Sequence, residues 1–315
     1  MPPNRLNYGS MSPSMSRRMF FRAHWRLLPL VCVFLCALPV FGAATNRLVQ
    51  ASLNKALQGT AAVAVVLDAS SGHLLAVRHP REAAWLSSAP GSTLKPFFLT
   101  TALERGLIDG NTILMCHRYL RILGHDLDCT HPASLTVFRA ADAIAYSCNN
   151  YFAQLSMRFA PGETAAVLRD YGFGSRPHLF SSESAGKVQE VDGSAERALQ
   201  VLGIAGVAAT PAQMAEAYWL LSQRMSPVPA VIQGLEESVG YGMAHSAATL
   251  GVRVLGKTGT ASGPEERWSH GWFAAIASCR GKRIVIAVYV PHGNGADAAL
   301  LAHRFFSAWR ERIVR

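Results

Sequence analysis

Lysine is scarce in this chain. Of 30 basic residues among 315, only five are lysines: Lys55, Lys95, Lys187, Lys257 and Lys282. Arginine effectively never gives up its proton, whereas a lysine can serve as a base once its pKa is lowered. Each retained lysine is therefore a candidate for proton transfer or compact point-charge chemistry. Acidic residues are missing from the first 67 positions, where Arg5, Arg17, Arg18, Arg22 and Arg26 supply half of the formal charge of +10. The other basic residues are scattered, without a stripe of arginines and aromatics, which argues against a nucleic-acid partner. No internal repeat, low-complexity tract or linker follows residue 60. That absence argues against a solenoid or a disordered chain and for one large domain.

A comfortable membrane span is also lacking. After the basic stretch ending at Arg26, an uncharged, mostly apolar run extends from Leu27 to Ala44. It falls short of the ~20 residues that cross a bilayer easily. It closes on Gly42-Ala43-Ala44, small residues of the kind a signal peptidase accepts. Residues 1–44 are read as a signal peptide or N-terminal membrane anchor, ahead of a domain at 45–315. The expected location is outside the cytoplasm, in the periplasm or on the outer face of the cytoplasmic membrane. Ser16-Arg17-Arg18-Met19-Phe20-Phe21-Arg22 also resembles a twin-arginine export signal; a generic basic leader is the other reading. Cys32 and Cys36 follow bulky residues, unlike a lipoprotein cleavage site. Cys116 and Cys129 flank a short loop that contains histidine. In an oxidising compartment a disulfide there would contribute about 3 kcal/mol. Zinc held by Cys116 and Cys129 with His125 or His131 is the less favoured reading. Cys148 and Cys279 are read as core packing. No metal or cofactor is expected.

Residues 46–57 have helical spacing on Leu48, Leu53 and Leu57. Thr60 to Leu67 and His73 to Val77 read as a hairpin across Asp68-Ala69-Ser70-Ser71-Gly72. From Ser92 to about Ala248 the chain reads as largely helical. Strands return at Val252–Gly256, Trp272–Ser278 and Arg283–Val290, and Ala296 to Ile313 closes as a helix. Strands from both ends of the chain must then meet in one antiparallel sheet with helices on its faces. The expected class is α+β: a five-stranded antiparallel sheet flanked by helices, with an all-helical insert and the active site between them.

Three motifs carry the chemistry. Pro90-Gly91-Ser92-Thr93-Leu94-Lys95-Pro96 precedes a helical run ending at Gly106. Ser92 would open that helix, with Lys95 one turn later on the same face, in a field that favours an oxyanion. Ser147-Cys148-Asn149 lies between two helical runs, where a short turn can project a hydroxyl and an amide into a cleft. Capping by Ser147 or Asn149 is the plainer explanation. Lys257-Thr258-Gly259-Thr260 continues the Val252 strand; Gly259 admits a close backbone approach, and Lys257 with the threonines suits a carboxylate. The backbone N–H groups of Thr260 and Ser92 could form an oxyanion hole.

In this order the motifs resemble those of the penicillin-binding protein transpeptidase family, within the serine β-lactamase and D,D-peptidase superfamily. The resemblance runs from about Thr60 to the C-terminus. It includes Leu103-Glu104-Arg105-Gly106-Leu107-Ile108, Tyr171-Gly172-Phe173-Gly174, Thr210-Pro211, Gly242-Met243, Gly256 and Trp272-Phe273. It departs at Gly203-Ile204-Ala205, where the family often has Gly-Gln-Gly, and in a short segment between Met243 and Lys257. Residues 45–60 cannot hold the pedestal or glycosyltransferase domain of larger members, so a stripped catalytic domain is expected.

The resemblance implies a peptidoglycan D,D-transpeptidase, or a D,D-carboxypeptidase, working through a serine acyl-enzyme. Ser92 would be the nucleophile, Lys95 the base and Ser147 the proton relay. Asn149 would bind the substrate amide, and Lys257, Thr258, Gly259 and Thr260 the terminal carboxylate. The implied partners are stem peptides ending in D-Ala-D-Ala, β-lactam antibiotics and cell-wall synthesis proteins. The alternatives are a serine β-lactamase, for which Glu196 is the nearest but poorly placed deacylating acid, and a non-enzymatic β-lactam sensor or scaffold.

Overall fold

The computed structural model describes residues 38–262 and 267–314. Of the leader expected over residues 1–44, positions 1–37 lie outside the described residues. One compact unit runs from Ala43 to Arg315. Among the described residues, no helix is long and apolar enough to cross a membrane.

The described residues begin with helix α1 (Leu38–Ala56), followed by the hairpin of β1 (Val63–Asp68) and β2 (Leu74–Arg78). A 3-10 turn at Gly91–Leu94 runs into α2 (Lys95–Glu104). Within the following insert lie α3 (Ala140–Ala145), α4 (Asn149–Ser156), α5 (Pro211–Arg224) and α6 (Pro229–Gly240). Strands β3 (Arg253–Ala261), β4 (His270–Cys279) and β5 (Lys282–Val290) lead to the final helix α7 (Gly295–Val314). The sheet order is β2-β1-β5-β4-β3, antiparallel throughout, so the last strand of the chain inserts beside the first. Arg280 and Gly281 both adopt positive φ in the two-residue β4–β5 turn, the geometry that matches strand twist.

The sheet is buried on both faces, and alternation divides its side chains between two cores. Val63, Val65 and Leu67, Trp272, Ala274 and Ile276, and Val285, Ala287 and Tyr289 pack toward the insert. Ala64 and Val66, Phe273 and Ala275, and Ile284, Ile286 and Val288 pack toward Val49 and Leu53 of α1 and Phe305, Phe306 and Trp309 of α7. The edge strand β2 is closed by Gln50 of α1, whose side chain donates to Val77 O and accepts Val77 N–H, each at 3.0 Å.

The insert is mostly helical but not entirely so. Two-residue ladders pair Leu114–Met115 with Val137–Phe138, Arg121–Ile122 with His125–Asp126, and Lys187–Val188 with Val207–Ala208. Runs this short are below the length at which a period of two can be read, so the all-helical expectation missed them. Val137 and Phe138 are extended, so the helix ahead of Ser147 begins only at Ala140.

Candidate active site

The turn carrying Ser92 is bolted to the sheet from several sides. Ala89 O faces Trp272 Nε1 at 3.0 Å and His270 Nε2 at 2.9 Å, both on β4. Tyr218 of α5 donates its buried hydroxyl to Thr93 O at 3.0 Å, and Thr93 Oγ1 donates to Pro90 O at 2.7 Å. Gly259 of β3 lies so close that a Cβ there would meet Pro90 O at 2.5 Å and Thr93 N at 3.1 Å. A side chain at 259 would push the turn off the strand, so this glycine serves the turn as well as any ligand. Behind the turn, Phe97 packs with ring centroids 4.8, 5.4 and 5.3 Å from Tyr171, Phe173 and Tyr218. The Tyr171–Gly174 segment is thus part of the support for α2.

Ser92 itself is half-buried at the mouth of the 3-10 turn. Three residues per turn brings Ser92 and Lys95 to the same side. Lys95 points inward and is fully buried. Its Nζ donates to Ser147 O at 2.7 Å, Ser147 Oγ at 3.2 Å and Asn149 Oδ1 at 2.5 Å, and stands 5.3 Å from the Phe152 ring centroid. Burial pushes its pKa down to about 8, against an opposing pull from Cys148 and Cys129. Lys257 is also fully buried and donates to Ser147 Oγ and Thr258 O, each at 2.9 Å. Burial, and then the charge of Lys95, lower its pKa well below the ordinary lysine value.

Ser147 is therefore the meeting point of two buried amines. Its Oγ has two lone pairs, one facing each lysine, and keeps one proton to donate elsewhere. It sits between α3 and α4 with φ 55°, a left-handed conformation unusual for a residue other than glycine. The cap of α4 is neither Ser147 nor Asn149: Cys148 takes that place and accepts from Tyr151 N. Both flanking polar side chains are thereby left for the cleft. Asn149 is oriented by donating Nδ2 to Leu127 O at 2.9 Å. Gly242 and Met243 abut the end of α3, where Met243 N donates to Ala145 O at 3.0 Å and a Cβ on Gly242 would collide with that carbonyl.

The structure brings Lys95, Ser147, Asn149 and Lys257 into direct contact and sets the Ser92 turn against Gly259. Thr258 and Thr260 alternate to the other side of β3 from Lys257. Thr260 is exposed and its Oγ1 accepts Gly295 N–H at 2.9 Å; Thr258 Oγ1 reaches Met243 O at 3.5 Å. Glu196 is exposed in the first turn of the helix Ser194–Val201, close to Gly193, and contributes nothing to this cluster. Of the two readings of Cys116 and Cys129, the structure shows free thiols with sulfurs 3.6 Å apart. Sequence reasoning missed the braces Trp272, His270 and Tyr218, and the place of Cys148, which it assigned to plain core. Only Cys148 carried a signal, through its position inside the Ser-Cys-Asn motif.

Comparison with known proteins bears on this geometry. The sequence profile of the penicillin-binding protein transpeptidase domain matches residues 62–308, which include every residue of the cluster. The chain belongs to that family. It is 27% identical over 272 residues to the peptidoglycan D,D-transpeptidase FtsI of Escherichia coli K12, covering 72% of this chain and 45% of the relative. The chain thus spans about half the length of that relative. A protein described as "Probable peptidoglycan D,D-transpeptidase PenA", from Neisseria flavescens, is 27% identical over 309 residues, with 81% and 76% covered. In fold, the chain resembles the apo transpeptidase domain of Burkholderia pseudomallei penicillin-binding protein 3. The TM-score is 0.73 at 23% identity, with 88% of this chain and 94% of the other covered. The five-stranded sheet and its helical layers are the fold of penicillin-binding transpeptidase domains.

Proposed function

We propose that this chain is a peptidoglycan D,D-transpeptidase that works through a serine acyl-enzyme on Ser92 and is acylated by β-lactams. The observation that carries the reading is the convergence of two buried lysines on Ser147 Oγ beside the Ser92 turn. Neutral Lys95 takes the proton of Ser92, whose Oγ attacks the carbonyl carbon between the two terminal D-Ala residues. The negative charge passes to the carbonyl oxygen, held by the backbone N–H groups of Ser92 and Thr260. As the tetrahedral adduct collapses, Ser147 gives its proton to the departing amine and regains one from protonated Lys95, which donates to its Oγ, and D-Ala leaves. An amine of a second stem peptide then takes the acyl group in cross-linking, or water takes it in carboxypeptidase action. Asn149 binds the substrate amide and Lys257 attracts the terminal carboxylate; Thr258, Gly259 and Thr260 meet it through the backbone of β3, since both threonine side chains turn to the other side of the strand.

The substrate class is found outside the cytoplasm, and the basic-apolar-small order of residues 1–44 suits export there. A β-lactamase needs a group to activate a deacylating water, and the Glu196 considered for that role is turned to solvent. Incubation with labelled penicillin tests the reading: the label is expected on Ser92, to persist for minutes or longer, and to be absent from Ser92→Ala. Rapid multiple turnover of penicillin would instead indicate a β-lactamase. No adduct on folded protein would indicate a scaffold. Incubation with a D-Ala-D-Ala muropeptide, with and without an acceptor amine, then separates transpeptidase from carboxypeptidase action by product mass.

A further inference from the structure

Beneath the Ser147 turn lies a cluster that the acyl-transfer chemistry does not use. Cys116, Cys129, His131 and Cys148 are all buried, and their ligand-capable atoms lie within 4.8 Å of one another. The Sγ atoms of Cys116 and Cys129 are 3.6 Å apart, those of Cys129 and Cys148 3.8 Å, and His131 Nε2 is 3.4 Å from Cys116 Sγ. Zinc bonds of about 2.3 Å to sulfur and about 2.0–2.1 Å to nitrogen give a tetrahedron with S···S edges of about 3.8 Å and S···N edges of about 3.5 Å. The Cys116–Cys129, Cys129–Cys148 and Cys116–His131 edges are close to that figure and the other pairs lie within 4.8 Å, whereas an S–S bond would be about 2.05 Å.

The surroundings are also those of a ligand set. His131 Nδ1 is 3.2 Å from Pro132 O, and a carbonyl can only accept. The ring hydrogen therefore sits on Nδ1, leaving the Nε2 lone pair for Cys116 and its neighbours; a backbone carbonyl on the far ring nitrogen is how metal-bound histidines are commonly oriented. Each sulfur accepts an N–H: Cys116 from Arg118 N at 3.4 Å, Cys129 from Asn150 Nδ2 at 3.9 Å, and Cys148 from Tyr151 N at 3.5 Å. Arg118 Nη1 donates to His131 O at 2.8 Å and Cys129 N to Arg118 O at 2.9 Å, so the segment is folded back on itself around the cluster.

We propose that Cys116, Cys129, His131 and Cys148 form a closed tetrahedral site for a zinc ion. The cysteines bind as thiolates and their remaining thiol protons pass to solvent. Zn²⁺ with three thiolates and a neutral imidazole carries a net charge of −1, and no redox step is involved. Four protein ligands leave no open position, so the ion is structural. Its effect on the neighbouring site is positional. Cys148 lies between Ser147 and Asn149, and the metal ties the 116–131 segment to the turn carrying both, alongside the Asn149–Leu127 hydrogen bond. Metal binding is independent of the acyl-transfer reading and stands or falls separately from it.

The test is metal analysis of the full chain. One zinc per chain is expected by plasma mass spectrometry and by intact mass under native conditions. Cobalt added to the metal-free protein should give thiolate charge-transfer absorption and the intense visible bands of a tetrahedral centre. His131→Ala keeps all the cysteines and should weaken zinc binding by more than the ~10–100-fold typical of losing an outer-shell partner. His125→Ala, on the exposed hairpin nearby, should bind as the parent does. If the variants fold poorly, the cobalt spectrum of the parent decides alone. A Cys116–Cys129 disulfide without metal, a folded and fully reduced parent that takes up no zinc, or parent-like binding by His131→Ala would each overturn the proposal.

Discussion

The two walls of the cleft are built in different ways. The sheet wall, β3 with Lys257 and Gly259, is held by a continuous ladder to β4, from Arg253 opposite Ser278 to Ala261 opposite His270. The helical wall presents Ser147 and Asn149 on one turn in a left-handed conformation. It is held by single side-chain contacts: Asn149 to Leu127 O, Met243 N to Ala145 O, and the sulfur cluster under Cys148. Backbone pairing is repetitive and indifferent to the side chains, so the sheet wall is formed as soon as the strands are. The helical wall depends on particular residues, each making one or two contacts. Defects in the sheet should therefore appear as loss of stability, and defects in the helical wall as loss of chemistry in a folded protein.

The sharpest test of that contrast is Lys95→Arg. Lys95 connects the two walls through Ser147, and arginine keeps the charge but supplies no base. Penicillin acylation should fall by about 10²–10⁴-fold, the range for losing a general base. In the parent, acylation should rise with pH through the Lys95 pKa of about 8. Stability should respond as well. Between that value and the ordinary lysine value near 10.4, the unfolded chain holds a proton on residue 95 that the folded chain has released. The stability contribution of Lys95 is therefore complete above the ordinary value and lost as pH falls through the folded one. Arginine stays protonated in both states, so both the rise in acylation and this stability slope should vanish in the variant. A pH–rate profile and urea melts at several pH values measure the pair.

The far core offers the opposite outcome. Phe305 of α7 is fully buried on the face of the sheet away from the cleft. Phe305→Ala should cost about 3–5 kcal/mol of stability, read by denaturant melting, while penicillin labelling of the protein that remains folded keeps its rate. A slowed rate in fully folded Phe305→Ala would break the division between the walls. The smallest effect belongs to Asn149→Ala. It removes a hydrogen-bond partner of Lys95 and the tie to Leu127, and should slow acylation by roughly tenfold, about the 1–1.5 kcal/mol of one hydrogen bond. The melting curve should move little, because Asn149 is only half-buried.

The same contrast explains what could be read in advance. The strands at Val63–Asp68, His270–Cys279 and Lys282–Val290 are long apolar runs with turn residues between them, and the expected hairpins are present. Thr210-Pro211, noted only for its resemblance to the family, is the start of α5, where Thr210 and Gln213 form a capping box. The region from Leu114 to Phe138 was opaque. Its strands are two residues long, and its coherence comes from contacts such as Cys129 with Cys148, which are 19 positions apart. Trp272 and His270 were visible as residues, but their hydrogen bonds to Ala89 O span more than 180 positions, and no local pattern encodes such a distance.

By itself, then, the sequence determined the order of the elements, the three short motifs and the polarity of each strand, since periodicity and turn chemistry act over a few residues. Tertiary structure alone decided that Lys95 and Lys257, 162 positions apart, would both be buried against the hydroxyl of Ser147. It also turned Cys148 from an apparent core residue into the cap of α4 and one corner of a sulfur–imidazole cluster. The physical reason is burial. A lysine pKa is lowered and a thiol becomes a candidate ligand only when folding removes water and brings distant groups within a few ångströms, and neither condition has a signature within one stretch of chain.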